Sequence, residues 1–330
     1  MKDKYFGQQN ELYTAHSVGN QEKGLEHKTE ILGGYCFFET SESEQAQEKL
    51  IGRYSRENQL VSAAACTSYK SDLYMDEVLK CKNTVILDKR LLIRDFESNE
   101  MRIKELTPLM IACIMGNQKT VEKIVNVARR TLAAEDFAIF INVKVERNQG
   151  GNNALLYAIG GQNTNSYALV HFLITDAKAN CNLSNDFAKN SLLIAARRNQ
   201  LDVVKLLLQN NVDINFQDAN GCNALHVVCT NGFYDCAEML LNYWYKQRKS
   251  GKSQVFNIDE QDFLSLTPLM KASINNHLQI VQMLLNFGAN PRLTTGNGES
   301  ALTLACMQEN SDICERLIIA KANVNELDLH

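Results

Sequence analysis

Asn220-Gly221-Cys222-Asn223-Ala224-Leu225-His226, followed by a second apolar run from Asp235 to Leu241, decides how the chain folds, because worn copies of it recur on both sides. Thr-Pro-Leu begins at Thr107 and returns at Thr267, while Asn-Ala-Leu ends at Leu155, Asn-Ser-Leu at Leu192 and Ser-Ala-Leu at Leu302. With leucine as the anchor the copies stand at Leu109, Leu155, Leu192, Leu225, Leu269 and Leu302. Two intervals, Leu192 to Leu225 and Leu269 to Leu302, span 33 residues. That period predicts stacked helix pairs, since one such unit cannot bury its apolar face alone and neighbours must bury it together. A stack of this kind works by presenting an extended surface, so the repeat argues for recognition before chemistry.

Each phrase also has its own local physics. Pro108 and Pro268 sit where a first-turn helix residue tolerates a missing N–H and a fixed φ. Thr107 and Thr267 precede them and can cap the helix by accepting a backbone N–H. Leu109, Ala112 and Cys113 then fall on one narrow face, and Val203, Leu206 and Leu207 give the partner helix the same stripe. Asn211, Gly232 and Gly288 lie where a left-handed residue ends a helix, and Lys178 and Lys321 occupy the turn position of Gly288.

These phrases resemble the ankyrin-repeat family over about two-thirds of the chain. The family unit is a β-hairpin finger, a helix opening at Thr-Pro-Leu-His, a second helix ending in paired leucines, and a Gly-Ala-Asp-like turn. Second helices of this form begin at Leu201, Asp235 and Asp312, and the turns read Asn211-Val212-Asp213 and Ala322-Asn323-Val324. The resemblance implies a mainly α solenoid with β-hairpin fingers, in six repeats over 101–330. It also implies that His226 ties neighbouring hairpin turns through its ring nitrogens.

Residues 1–56 lack the repeat and read as an N-terminal extension, a strand over Ile31 to Phe38 and then a helix after Ser41. Residues 57–100 read as a degenerate capping pair, near Leu60 to Lys80, and an enlarged hairpin. Insertions break the period near 128–148 and 242–257. The second contains Trp244-Tyr245-Lys246-Gln247-Arg248-Lys249. It reads either as an extended helix whose aromatics cover the core or as an aromatic-basic patch centred on Trp244 for an acidic partner.

Composition bounds the partners. A net charge of −4 with 22% charged residues demands neither nucleic acid nor an anionic membrane. No run of 18 apolar residues occurs and the start lacks a signal-peptide core, so the expectation is a cytoplasmic monomer. Ten cysteines then imply a reducing compartment. Cys113, Cys229 and Cys306 share one repeat position and are expected to be small buried packing residues.

No constellation demands a metal or cofactor. Cys222, His226, Cys229 and Cys236 supply soft ligands without zinc-site spacing. Lys249-Ser250-Gly251-Lys252-Ser253 lacks the first glycine of a phosphate loop, since position 246 is Lys246. Cys36 is the one candidate nucleophile outside the repeats, and its simpler reading is a small residue in a buried strand.

The surface of the stack remains. In the family, partners bind across the fingertips and the inner face of the first helices. Carried onto this chain, those places are Asp186, Phe187, Lys189, Arg197 and Arg198, then Ala219, Asn220, Cys222, Thr230 and Asn231, then Phe263, Leu264, Leu266, Ile274 and Asn275. Phe187, Phe263 and Leu264 are large and apolar where the family is polar, and such clusters rimmed by charge mark interaction sites. The expectation is a protein-binding scaffold or adaptor whose contacts are Phe187, Lys189, Arg197, Arg198, Phe263, Leu264, Leu266 and Ile274, with Trp244 alongside. The alternatives are an enzyme or modifier with chemistry around Cys36, and a bacterial effector acting on a host protein inside a host cell.

Overall fold

The computed structural model describes residues 91–94, 103–145, 150–161, 166–250 and 257–323. The expectations for residues 1–56, including Cys36, and for a helix pair near Leu60 to Lys80 lie outside them. Strand β1 (Leu91–Arg94) pairs antiparallel with β2 (Ile103–Leu106), Leu91 opposite Leu106, and leads into the first repeat.

Six helix pairs follow. In chain order they are α1 (Pro108–Ile114) with α2 (Gln118–Thr131), then α4 (Ala154–Gly160) with α5 (Ser166–Thr175), the first two separated by an extra helix α3 (Ala134–Asn142). Next come α6 (Ser191–Arg197) with α7 (Leu201–Gln209), α8 (Ala224–Asn231) with α9 (Tyr234–Lys249), α10 (Pro268–Ile274) with α11 (Leu278–Asn286), and α12 (Ala301–Met307) with α13 (Ser311–Ile319). The first helices touch one another in sequence order, and the second helices form a parallel row behind them. A first helix of seven or eight residues is too short to persist alone in water, so its stability comes from the stack.

The cap side chain stands two residues before every anchor leucine. Thr107, Asn153, Asn190, Asn223, Thr267 and Ser300 each accept the backbone N–H three residues on, as Thr107 and Thr267 were expected to do. Behind them the anchors enter one continuous core, Leu109, Leu155, Leu192, Leu225 and Leu269 at 1–2% exposure and Leu302 at 8%. Burying one such leucine contributes roughly 1.5–3 kcal/mol. Lys178 and Lys321 do turn left-handed, at φ 58° and 64°, like Asn211 at 57° and Gly288 at 89°.

The described parts of the insertions are largely helix. The first extends α2 to 14 residues and adds α3, whose Phe140 and Ile141 are buried where it packs on α2 and α4. The second extends α9 to 16 residues. Cys113 and Cys229 are packing residues at 1% and 0% exposure. Cys306 is not, and the expectation is corrected: its thiol is exposed, because among the described residues no further helix pair covers the outer side of α12.

Candidate partner-binding surface

Four fingers are built by one device. A side-chain oxygen accepts the backbone N–H groups two and four residues ahead, folding the tip over a single acceptor. Asn185 Oδ1 accepts from Phe187 at 3.1 Å and Lys189 at 2.9 Å, and Asp218 Oδ1 from Asn220 at 2.9 Å and Cys222 at 3.0 Å. Asp262 Oδ1 takes Leu264 and Leu266, both at 2.9 Å, and Thr295 Oγ1 takes Asn297 at 3.3 Å and Glu299 at 3.2 Å. The brace lifts the two residues after it to the crest of the turn.

At two crests one of those residues is aromatic, Phe187 two places after Asn185 and Phe263 one place after Asp262. Phe187 is 50% exposed and Phe263 73%, with Leu264 at 63% beside it. The tips stand in solvent. Adjacent fingers are stitched by backbone: Phe263 N donates to Asn220 O at 3.0 Å, and Asp186 N to Gly150 O at 3.2 Å. Gly221, at φ 78°, lets Phe263 approach this closely, since a Cβ there would meet Phe263 Cδ1 at 2.7 Å.

One cation stands at the Phe187 ring and a second acts on that cation. Lys189 is half-buried with Nζ 6.0 Å from the Phe187 ring centre, and Arg197 and Arg198 are exposed at the end of α6. Burial and then the Arg197 charge hold the Lys189 ammonium below the ordinary lysine range, while the Asp218 carboxylate opposes them. Arg198 Nη2 donates to Gly161 O at 2.9 Å, anchoring that side chain on the preceding repeat.

Two proposed contacts do not reach the surface. Leu266 is 3% exposed because its finger turns it inward, where its carbonyl meets the His226 ring. Trp244 is 5% exposed, edge-on to Phe287 at 6.4 Å and covered by the Arg248 guanidinium at 5.3 Å. Trp244 therefore covers the core with Tyr243 packed against it, while Tyr245 on the same helix is 45% exposed. Ile274 is only partly exposed, packed against the core at the end of α10.

Beneath the fingers lies a buried polar seam. Lys271 pairs with Asp262, and Cys222 Sγ donates to Asp262 Oδ2 at 3.6 Å. Burial pushes the Cys222 thiol up to about 12, which removes it as a nucleophile near neutrality. The His226 ring does tie neighbouring fingers: Nε2 meets Leu266 O at 3.1 Å, and Nδ1 accepts from Asn223 N at 3.3 Å. A carbonyl only accepts, so Nε2 carries the proton. Cys236 Sγ donates to Asn199 Oδ1 at 3.1 Å, and no three His, Cys, Asp or Glu side chains among the described residues are grouped to hold a metal. No described helix is long and apolar enough to cross a membrane.

The brace was legible as a period and was missed. Asn185, Asp218, Asp262 and Thr295 each stand seven residues before an anchor leucine.

The family model for ankyrin repeats (3 copies) matches residues 161–252 and 251–328, together more than half of the chain. The ankyrin repeat protein L371 of Acanthamoeba polyphaga mimivirus is 29% identical over 178 residues, 54% of this chain and 21% of that protein. Human BCL-6 corepressor-like protein 1 is 33% identical over 125 residues, 38% of this chain but 6% of its own length. The ankyrin repeat protein YahD of Escherichia coli K12 is 29% identical over 161 residues, 47% of this chain and 75% of that protein. The chain thus matches only a small share of the length of the first two relatives. Ankyrin repeats generally mediate protein–protein interaction. With its helix pairs, braced fingers and family match in agreement, the chain belongs to the ankyrin-repeat family.

Proposed function

We propose that this protein is a scaffold or adaptor that holds a partner protein across its fingertips and the inner, concave face of its first helices. The observation that carries the reading is the exposure of Phe187, Phe263 and Leu264 on braced fingers. A folded chain gains nothing from holding three large apolar side chains in water, whereas a partner's apolar groups can cover them. Lys189, Arg197 and Arg198 make the Phe187 end cationic, which favours a partner bearing carboxylates there.

Phe187 and Phe263 are two fingers apart. With neighbouring helices roughly 8–10 Å apart, two steps span about 16–20 Å, and an extended peptide covers that in about five or six residues. The fitting partner segment carries an acidic group at one end and apolar side chains at about that spacing.

Partners captured by the wild-type chain are compared with those captured by Phe187→Ala/Phe263→Ala and by Trp244→Phe. The reading expects a partner retained by wild type and Trp244→Phe and lost by the double variant. A partner held equally by all three binds elsewhere and overturns it.

A further inference from the structure

The last described helix pair holds two thiols in contact. Cys306 Sγ, near the end of α12, lies 3.2 Å from Cys314 Sγ in α13, and Cys306 is exposed while Cys314 is partly buried. The contact follows from the repeat itself. The same two positions, eight residues apart, hold Cys113 and Val121, Ala196 and Val204, Cys229 and Ala237, and Ser273 and Val281. All eight of these side chains are 0–1% exposed, so the repeat turns both positions inward between paired helices. At 306 and 314 both are cysteine, and one of them is open to solvent. Cys113, Cys181, Cys222, Cys229 and Cys236 are all buried.

We propose that Cys306 and Cys314 form a thiol–disulfide exchange site for small disulfides of the glutathione type, and that its oxidation ties α12 to α13. Cys306 meets the oxidant because it is the exposed sulfur. After giving its proton to water, the Cys306 thiolate attacks one sulfur of the small disulfide; that S–S bond breaks, one small thiolate leaves, and Cys306 carries a mixed disulfide. Cys314 then loses its proton and attacks Cys306 Sγ, and the second small thiolate leaves. The protein dithiol is oxidised by two electrons, the small disulfide is reduced to two thiols, and the two protons end on those thiols. Burial, with the neighbouring Cys306, raises the Cys314 thiol to about 11, which suits the resolving role better than the attacking one.

The reduced full chain is incubated with oxidised glutathione at neutral pH and mapped without reduction, alongside Cys306→Ser and Cys314→Ser, whose folding is checked by circular dichroism. The expected result is a 306–314 cross-linked peptide in wild type, glutathione accumulating on Cys306 in Cys314→Ser, and neither cross-link nor rapid adduct at Cys314 in Cys306→Ser. A lasting adduct on Cys306 of the wild type with Cys314 free overturns the proposal. So does an unreactive Cys306, or modification of Cys314 at an undiminished rate in Cys306→Ser.

Discussion

Lys271 Nζ lies 2.7 Å from Asp262 Oδ2, with 6% and 2% of the two side chains exposed. The position of Lys271, two after the anchor, holds Ile111, Tyr157, Ile194, Val227 and Leu304 in the other repeats. One repeat thus buries an ion pair where the rest pack carbon or an aromatic ring against the core. Removing one partner of such a pair strands a buried charge, at a typical cost of about 3–5 kcal/mol, while replacing both is often neutral. Asn185 shows that an amide oxygen braces a finger as well as a carboxylate does. Lys271→Leu is therefore expected to lose about 3 kcal/mol in urea unfolding, and Lys271→Leu/Asp262→Asn to regain most of it. A double variant no better than the single one would mean that the charge on Asp262 is needed for the brace itself.

His226 gives the stability a pH dependence. Burial holds its ring at about 4, from an ordinary 6.5, against the opposing pull of Asp262. The folded-state value is depressed for a base, so the unfolded chain takes up the proton first as pH falls. The stability is fully present above about 6.5, is lost between there and about 4, and falls no further below that from this group. At about 1.4 kcal/mol per unit the loss is on the order of 3 kcal/mol. Denaturant titrations from pH 7 to pH 4 should show it in wild type and a shallower slope in His226→Gln. Equal slopes would assign the acid sensitivity to carboxylates.

Left-handed turns without glycine are a reserve of stability. Lys178 and Lys321 stand at φ 58° and 64°, and the finger residues Ala188 and Ser265 at 49° and 60°, where Gly221 and Gly298 serve in other fingers. A side chain there costs on the order of 1 kcal/mol, which glycine avoids. Lys178→Gly and Ala188→Gly should each raise the midpoint of chemical unfolding. A lowered midpoint would show that the entropy glycine adds to the unfolded chain outweighs the relieved strain.

The thiols should separate by burial. Cys113 and Cys229 are shut in the core, and desolvation pushes both thiols far above the ordinary range, so alkylation must wait for local opening. Cys306 needs no opening. Mass-spectrometric labelling of the native protein should modify Cys306 well before the other two, and comparable rates would contradict the burial order.

What the sequence showed plainly was whatever a single repeat decides for itself. Thr107 and Thr267 cap because of their neighbours in the chain, and Lys178 turns left-handed at the turn position that Gly288 holds in another repeat. What it hid depends on the adjoining repeat. Leu266 and Phe263 both lie in one finger, yet one faces the His226 ring of the previous repeat and the other faces water. Cys306 holds the same repeat position as Cys113 and Cys229, yet among the described residues no further helix pair lies outside it. Trp244 reads as an aromatic among lysines, and Phe287 of the next repeat is what draws it inward. Lys271 was hidden by its type, since nothing local announces that its counter-charge, Asp262, lies nine residues back on the finger.

Binding should divide between an apolar and a cationic contribution. Phe187 and Phe263 meet solvent over half or more of their surface, so their removal takes little from the core. Aromatic anchors dominate interface energetics, and truncating a central one typically costs about 2 kcal/mol. Phe187→Ala/Phe263→Ala should weaken a captured partner by tenfold or more, about 1.4 kcal/mol being one decade, with the melting temperature nearly unchanged. Arg197 has a different part. It lies exposed beside Lys189, and like charge adjacent to like charge is relieved by an incoming carboxylate. Arg197→Ala should therefore slow association and flatten its dependence on ionic strength, while dissociation changes less. Affinity lost by the phenylalanine variant with an unaltered salt dependence in Arg197→Ala would leave the apolar anchors in place and remove the acidic end of the partner. A collapse of thermal stability in the phenylalanine variant would instead make both rings part of the fold.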